Sequence, residues 1–140
     1  MATHVGEIEL RTQHRGLYSI TDEVAAHVAR SGIRLGLVNV FVAHTSASLV
    51  ITENADPDVL ADLERWFADS VRDGDSRFAH DAEGPDDMSA HLRSVLTQTS
   101  VSVPVRDGQL ALGVWQGIYV WEHRFRGHRR AVLITVVGDR

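Results

Sequence analysis

Alternation of polar and apolar residues, together with one long apolar run, indicates strands in the first third of the chain. Residues 7–12 alternate strictly, which predicts a half-buried strand. Residues 35–43 are nearly continuous in Leu, Val and Phe, which predicts a central strand covered on both faces. This run leads into a polar segment that starts at His44, and a short strand over residues 49–52 follows. Because buried strands hold the polar residues at their ends rigidly, this segment is a candidate site.

Helical spacing and capping residues predict three helices in total. The first covers residues 21–32 and ends at a glycine. The second begins at Asp56-Pro57, where an N-cap residue is followed by proline at the first helical position. Its wide apolar face includes Trp66 and Phe67, which we interpret as core residues and not as ligand contacts.

The third helix is predicted to start at Asp86 or Asp87 and to end near Gln98. Its apolar residues recur at helical spacing and define a predicted buried stripe: Met88, Leu92, Val95 and Leu96. His91 falls on that stripe, so its imidazole ring is expected to face inward. The preceding residues 80–85 contain a Gly-Pro break and are predicted to form a loop.

The last third of the chain contains the remaining predicted strands. Asp107-Gly108 lies between two alternating stretches and is a strong hairpin signal. Residues 115–117 interrupt the return strand, which predicts a bulge or bend. The strands predicted here cover residues 101–105, 110–114, 118–122 and 131–137. The element order β-α-β-β-α-α-β-β-β predicts the α+β class, as one compact domain over residues 1–140 with a mixed or mainly antiparallel sheet.

Composition and charge narrow the possible function classes. The chain has no cysteine, which excludes disulfides and thiolate metal ligands. It has no apolar run of about 18 residues, and its start has no basic patch before an apolar stretch, so we expect no membrane span and no signal peptide. All 14 basic residues are arginine and the net charge is −5, which argues against nonspecific nucleic-acid binding. The expected location is the cytoplasm.

Three of the eight histidines stand at the ends of predicted elements beside acids or hydroxyls: His44, His80 and His91. Convergence of these side chains suits a divalent metal, zinc or another borderline ion, with carboxylates and water completing the site. The alternative is that each histidine is hydrogen-bonded packing near the core. None of the spacings matches a strong metal signature such as H-E-x-x-H.

Acidic residues near these histidines are candidates for proton transfer. Glu53, where a short predicted strand ends, is one of them. Glu83 lies in the Gly-Pro loop, Asp87 at a helix start, and Glu122 at the end of an apolar strand. Each of these last three has an alternative role, as a solvated residue, a helix cap, or a rim or histidine-orienting residue. Hydroxyl and guanidinium groups in turns could bind an anion: Thr45, Ser46, Ser48 and Arg124. Other arginines in residues 124–130 could also clamp a phosphate, but Arg126 is interpreted as a solvated turn residue.

Short motifs with sensible spacing cover nearly the whole chain. They are His44-Thr45-Ser46-Ala47-Ser48, Glu53-Asn54, Asp56-Pro57, His80-x-x-Glu83-Gly84, Asp86-Asp87-Met88 with His91, Gly113-x-Trp115-Gln116-Gly117-Ile118 and Glu122-His123-Arg124. Their combination resembles the YjbQ family, whose members are also called secondary thiamine-phosphate synthase enzymes. Members of that family often carry a histidine where this chain has Tyr18, so the chain departs from the pattern there.

The resemblance implies a compact α+β fold assembled as a homotrimer, with a pocket built from the residues above and a bound metal in some members. It adds Glu53, Asn54 and Gln116 to the residues expected to bind substrate. The activity it implies is weak thiamine-phosphate synthesis, in which a thiazole phosphate joins a pyrimidine pyrophosphate and pyrophosphate is released. Two hypotheses follow: a metal-binding enzyme acting on a small phosphorylated substrate, or a noncatalytic trimer that binds a metal or a small anionic ligand.

Overall fold

Eight strands and three helices make up the fold, a computed structural model that describes residues 1–140. In chain order they are β1 (Ala2–Arg11), β2 (His14–Ser19), α1 (Thr21–Ser31), β3 (Leu35–Val42), β4 (Ala47–Glu53), α2 (Pro57–Ser70), α3 (Asp87–Leu96), β5 (Ser100–Arg106), β6 (Gln109–Leu110), β7 (Gln116–Arg126) and β8 (Arg129–Asp139). They form a five-stranded sheet of order β1-β8-β3-β5-β6 and a three-stranded sheet of order β2-β7-β4. Every pairing between these strands is antiparallel. The α+β class with three helices is confirmed.

The main core contains 18 buried apolar side chains, which come from both sheets and from α1. Val38 and Val40 of β3 and Val120 of β7 are fully buried in it, because alternate residues of a strand point to the same face. Val24 and Val28 of α1 lie four residues apart and therefore reach the same core from one side of the helix. Burial of each such side chain stabilises the fold by roughly 1.5–3 kcal/mol.

The central part of β7 is buried on both of its faces. Val120 points into the main core, whereas Trp121 packs in a second cluster with Phe67 of α2. The Phe67 and Trp121 rings meet edge to face with 4.9 Å between their centroids. The burial on both faces of β7 extends beyond its apolar residues, so the polar residues Glu122 and His123 are buried as well.

The prediction that the strand of residues 35–43 is covered on both faces is wrong. β3 has one buried face, while Leu37 and Phe41 on its other face are each 41% exposed. Leu133, the β8 residue paired with Phe41, is exposed to the same extent. Most residues on both faces of this strand are apolar, so the sequence shows no alternation of polar and apolar residues from which one exposed face could be predicted. Adjacent exposed apolar side chains on a sheet are typical of a protein–protein contact surface.

The strand order differs from the sequence prediction at two places. One strand, β2, has no counterpart among the predicted strands. Residues 118–122 do not resume the return strand of the hairpin, because β6 ends at Leu110 and β7 belongs to the other sheet. The hairpin itself is confirmed, since Asp107 and Gly108 have the positive φ angles, 52° and 76°, that its tight turn requires.

The helix ends match the prediction better than the helix faces do. The second helix begins as expected, and Asp56 Oδ1 accepts a hydrogen bond from the Asp58 N–H at 2.9 Å. Trp66 is exposed, so its interpretation as a core residue is wrong, whereas Phe67 is buried. The apolar stripe expected on α3 is also wrong, because Val95 is exposed. The buried residues of α3 are small or charged: Asp87, Ser89, Ala90, Arg93 and Ser94.

No helix of the structure is both long enough and apolar enough to cross a membrane.

Candidate metal centre

Arg124, near the end of β7, fixes the loop that precedes α3. Its Nε donates to Asp86 Oδ2 at 3.0 Å, its Nη1 donates to Asp87 Oδ1 at 2.7 Å, and its Nη2 donates to the Glu83 carbonyl oxygen at 3.0 Å. The Phe125 N–H donates to the same Asp86 oxygen at 2.8 Å. Burial alone would raise the pKa of Asp86, but these hydrogen bonds and the Arg124 charge lower it below its ordinary value. Both aspartates are therefore anions held in one orientation.

The fixed Asp87 carboxylate brings two histidines together. Its Oδ2 lies 2.6 Å from His80 Nε2 and 3.2 Å from His91 Nε2. Asp87 and His91 are four residues apart on α3, so they share one side of the helix, and His80 comes from the loop. One ligand atom from each of the three residues lies within 4.8 Å of the others. Two imidazole nitrogens and one carboxylate oxygen form a donor set that suits zinc.

Burial and charge differ across this cluster in a way that suits an open site. The Asp87 side chain is 4% exposed, whereas His91 and His80 are 32% and 43% exposed. Burial would raise the pKa of Asp87, but the hydrogen bond with His80 and the charge of Arg124 lower it. The same hydrogen bond raises the pKa of His80 above its ordinary value. A cation bound here would replace the proton that His80 and Asp87 share.

His44, the third histidine expected as a metal ligand, lies outside this cluster. Its Nε2 accepts a hydrogen bond from the Ala131 N–H at 2.8 Å. Burial, followed by the charge of Arg130, lowers the pKa of His44, so the ring is neutral and carries its proton on Nδ1. His44 and His91 line one cavity of about 210 Å³. The structure thus brings two of the three expected histidines together, and Asp87, not His44, completes the cluster.

Glu122, expected as a proton-transfer residue, is fully buried in an ion pair with Arg130. Arg130 Nε donates to Glu122 Oε1 at 2.8 Å, and Arg130 Nη2 donates to Glu122 Oε2. The Thr12 hydroxyl donates to Oε1 at 2.6 Å. Burial would raise the pKa of Glu122, but these hydrogen bonds lower it. A carboxylate with no exposed surface cannot contact a substrate, so Glu122 serves as a structural anchor.

The hydroxyl groups expected to bind an anion differ in their burial and in their hydrogen-bond partners. Ser46 Oγ accepts a hydrogen bond from Arg130 Nη2 at 3.0 Å, and Ser48 Oγ lies 2.8 Å from His123 Nε2 with both residues fully buried. Only Thr45 is exposed. Burial, followed by the charges of Arg93, Arg15 and Arg130, lowers the pKa of His123 to about 2, so its ring is neutral.

The three residues added by the family resemblance lie away from the cluster. Glu53 is paired with Gln116 at one end of the β4–β7 ladder, and Ala47 with Glu122 at the other end. Six residues of strand separate these ends, which is about 20 Å. Asn54 Nδ2 donates to the Val114 and Gln116 carbonyls at 3.1 Å each, and Gln116 Oε1 accepts from the Gly113 N–H at 2.7 Å. Within one chain, these polar groups build a turn and do not reach the metal centre.

Tyr18, where the family often has histidine, also has a structural role. Its hydroxyl accepts hydrogen bonds from the Gln13 and His14 N–H groups at 3.0 Å each and donates to the His14 carbonyl at 2.7 Å. It thereby closes the connection between β1 and β2.

A buried charged network that was not predicted from the sequence lies beneath α3. The guanidinium of Arg93 is fully buried, and its Nη1 donates to Glu64 Oε1 at 2.7 Å. Trp121 Nε1 donates to the other Glu64 oxygen at 2.6 Å, which joins α2, α3 and β7. The only sequence signal was the run of small residues beside Arg93, which marks the face of α3 that packs closely.

The chain is similar to proteins of one family over almost its whole length. A family model described as UPF0047 protein YjbQ-like matches residues 6–139. The UPF0047 protein sll1880 of Synechocystis is 48% identical over 136 residues, which cover 97% of this chain and 92% of that protein. The UPF0047 protein YjbQ of Salmonella typhimurium is 42% identical over 133 residues, or 94% and 96% of the two chains. The crystal structure of a YbjQ-like protein of unknown function from Sulfolobus solfataricus has a TM-score of 0.90 at 26% identity and covers 98% of both chains.

Replacing Glu122 with Gln should destabilise the fold. The substitution leaves the buried Arg130 charge without its counter-ion, which typically costs about 3–5 kcal/mol of unfolding free energy. Because the folded pKa of Glu122 is depressed, its contribution is present above the unfolded value of about 4.3 and is lost as the pH falls through the folded value. Urea unfolding should therefore show a gap between wild type and Glu122→Gln near neutral pH that narrows in acid.

The exposed Glu83 supplies the matched control. Glu83→Gln makes the same chemical change and should alter the unfolding free energy by less than about 0.5 kcal/mol. Equal unfolding curves for the two variants would show that Glu122 is not an anchor.

Proposed function

The chain belongs to the YjbQ-like UPF0047 family, and we propose that it is a metal-dependent enzyme acting on a small phosphorylated molecule. The observation that carries this proposal is the cluster of His80, Asp87 and His91, whose ligand atoms lie within 4.8 Å of one another. Arg124 holds the second oxygen of Asp87 and so fixes the direction in which the first oxygen points. Three protein ligands beside solvent are typical of catalytic zinc sites, which keep one position open.

The chemistry of such a site fits phosphate esters and pyrophosphates. A bound divalent cation supplies Lewis acidity and stabilises negative charge on phosphoryl oxygens. The residues of the chain supply orientation and a proton-transfer group. The Glu83 carboxylate is exposed, and its Oε2 lies 3.8 Å from His80 Nε2. Because Arg124 binds the Glu83 carbonyl, this side chain starts from a fixed position beside the cluster.

The specific reaction that we propose is thiamine-phosphate synthesis, which the family resemblance implies. The thiazole nitrogen of the thiazole phosphate attacks the pyrimidine methylene carbon, forming a C–N bond as the C–O bond to pyrophosphate breaks. The pyrophosphate leaves with both electrons of that bond. In this reaction Glu83 exchanges protons with the departing pyrophosphate or with water beside it.

The second hypothesis, a noncatalytic module that binds a metal or a small anion, has one observation in its favour. Glu53, Asn54 and Gln116 are used in a turn at the far end of β4, which leaves fewer polar groups for positioning a substrate at the cluster. Both hypotheses use the same metal ligands, and they differ only in turnover.

We also propose that the chain assembles as a homotrimer, as the family resemblance implies. The outward face of the five-stranded sheet supports it, because Leu37, Phe41 and Leu133 expose apolar surface there. Phe41 and Leu133 are direct cross-strand partners, so this surface is continuous across β3 and β8. Burial between subunits would remove it from water.

The metal proposal predicts which histidine substitutions release zinc. His91→Ala should remove most of the bound zinc, because it deletes one of three ligands. His44→Ala should retain it, since His44 Nε2 is bound to the Ala131 N–H. Metal content after dialysis, measured by mass spectrometry of the element, distinguishes the two, with His14→Ala as an exposed control. Zinc loss in His44→Ala equal to that in His91→Ala would contradict this ligand set.

The catalytic proposal predicts that Glu83→Gln lowers turnover at least about tenfold, because general acid–base groups typically contribute about 10²–10⁴-fold. The assay combines the thiazole phosphate with the pyrimidine pyrophosphate and measures thiamine phosphate. Glu23→Gln on α1, also exposed, is the control for the charge change and should leave turnover unchanged. Equal and very slow turnover in all three proteins, with zinc retained, would favour the binding module.

The assembly proposal predicts a particle of three times the 15.5 kDa chain mass in light scattering at micromolar concentration. Leu133→Asp should dissociate it, because the substitution places a charge in the apolar contact. Trp66→Asp changes an equally apolar exposed residue on α2 and should leave the trimer intact. A monomeric wild-type protein would overturn the proposal.

A further inference from the structure

A basic groove lies beside the turn between β7 and β8, and none of its lining residues belongs to the cluster of His80, Asp87 and His91. The cavity there has a volume of about 390 Å³, and no hydrophobic residue lines it. Its lining includes three arginines, one histidine and two neutral polar residues: Arg11, Arg126, Arg129, His128, Thr12 and Gln13. This concentration of positive charge stands out in a chain whose net charge is −5.

The arginines of this basic groove are incompletely neutralised. Arg11 and Arg129 are direct cross-strand partners of β1 and β8, a position in which like charges repel. Arg129 Nε makes an exposed ion pair with Glu9 at 3.0 Å, which compensates little of that repulsion. The side chains of Arg11 and Arg126 make neither a hydrogen bond nor an ion pair within the chain. An anion bound between these guanidinium groups would turn the repulsion into attraction.

The backbone of the basic groove is held in place by the buried Glu122 anchor. The Thr12 hydroxyl donates to Glu122 Oε1 at 2.6 Å and accepts from the His128 N–H at 2.8 Å. The Thr12 N–H donates to the His128 carbonyl at 2.9 Å. Any Cβ at Gly127 would lie 1.9 Å from the Thr12 carbonyl oxygen, so the turn can pack this closely only with glycine. Anchoring of this kind reduces the ordering cost of binding.

The basic groove continues toward the metal centre. A second cavity, of about 380 Å³, shares Arg126 and His128 with it and extends to Glu83. Glu83 in turn lies 3.8 Å from His80. A small molecule can therefore place a phosphate among the arginines and its remaining part beside the metal ligands.

We propose that the basic groove binds the phosphate or pyrophosphate group of a small molecule. This proposal deepens the proposed function and rests on it for the part of the molecule that lies beside the metal ligands. It places the bound anion among these arginines and not at the hydroxyl groups that the sequence predicted would bind it. Ser46, Ser48 and Arg124 are engaged inside the protein, whereas Arg11 and Arg126 are available. Guanidinium groups suit phosphate because their planar pairs of N–H donors match two oxygens at once.

The test uses inorganic pyrophosphate and isothermal titration calorimetry on the full chain after treatment with a chelator, so that no metal takes part. Wild type should bind pyrophosphate, and Arg126→Gln and Arg11→Gln should each weaken binding at least about tenfold, as expected for loss of a charge-assisted hydrogen bond. Arg106→Gln is the matched control, because Arg106 is exposed on β5 and the charge change is the same. It should bind as wild type does. Circular dichroism confirms folding of each variant.

The proposal would be overturned by the absence of any heat of binding in wild type, or by equal weakening in Arg106→Gln. A single-stranded oligonucleotide that binds more tightly than pyrophosphate would also overturn it, since the groove would then serve a polymer. His91→Ala should bind pyrophosphate as wild type does. Pyrophosphate binding by a protein that takes up no zinc when zinc is added back would support the basic groove while refuting the metal-dependent function. Zinc uptake without pyrophosphate binding would do the reverse.

Discussion

The buried ion pair between Glu122 and Arg130 is the constraint on which the candidate site depends. Its charges are removed from water, so neither partner can be lost without leaving the other uncompensated. Replacing a buried pair of this kind with apolar residues is often neutral for stability, whereas removing one partner is costly. Here Arg130 also binds Ser46, and Glu122 also binds Thr12, so the pair joins β7 and β8 to the loop before β4 and to the end of β1. The segments that carry candidate site residues at this end are attached to it, apart from α3 and the loop before α3.

The loop before α3 is attached through the next step along the same strand. Glu122 Oε2 accepts a hydrogen bond from the Arg124 N–H at 3.1 Å, so the anchor also positions the backbone that carries the Arg124 side chain. Arg124 then orients Asp86, Asp87 and the Glu83 carbonyl. A continuous series of hydrogen bonds thus runs from a fully buried carboxylate to the exposed histidine cluster. This explains why residues on a long connecting loop can hold ligand geometry.

Features set by a few neighbouring residues could be predicted from the sequence, and features set by packing could not. Asp56-Pro57 and Asp107-Gly108 specify their helix start and turn by local backbone chemistry. The sequence indicated Asp87 as a helix start and His91 as part of a buried stripe, but the stripe was assigned to the wrong residues. The spacing of four residues that places both on one side of α3 was not used. His44 could not be separated from the other histidines, because its partner, the Ala131 N–H, lies 87 residues away. The exposure of Leu37 and Phe41 was concealed since both faces of β3 are apolar.

The charges of the candidate metal centre and of the basic groove favour the same kind of ligand, one with anionic groups. At the candidate metal centre, Arg124 already compensates much of the negative charge of Asp86 and Asp87, so a divalent cation bound there would retain positive charge to share with a ligand. At the other end of the adjoining cavities, Arg11 and Arg126 present positive charge that no carboxylate of the chain neutralises. Between them lies Glu83, an exposed acid. A ligand that spans this path is therefore favoured when its two ends are anionic and its centre can exchange a proton. The thiazole phosphate and the pyrimidine pyrophosphate of the proposed reaction together carry one anionic group for each end, whereas apolar or cationic ligands carry none.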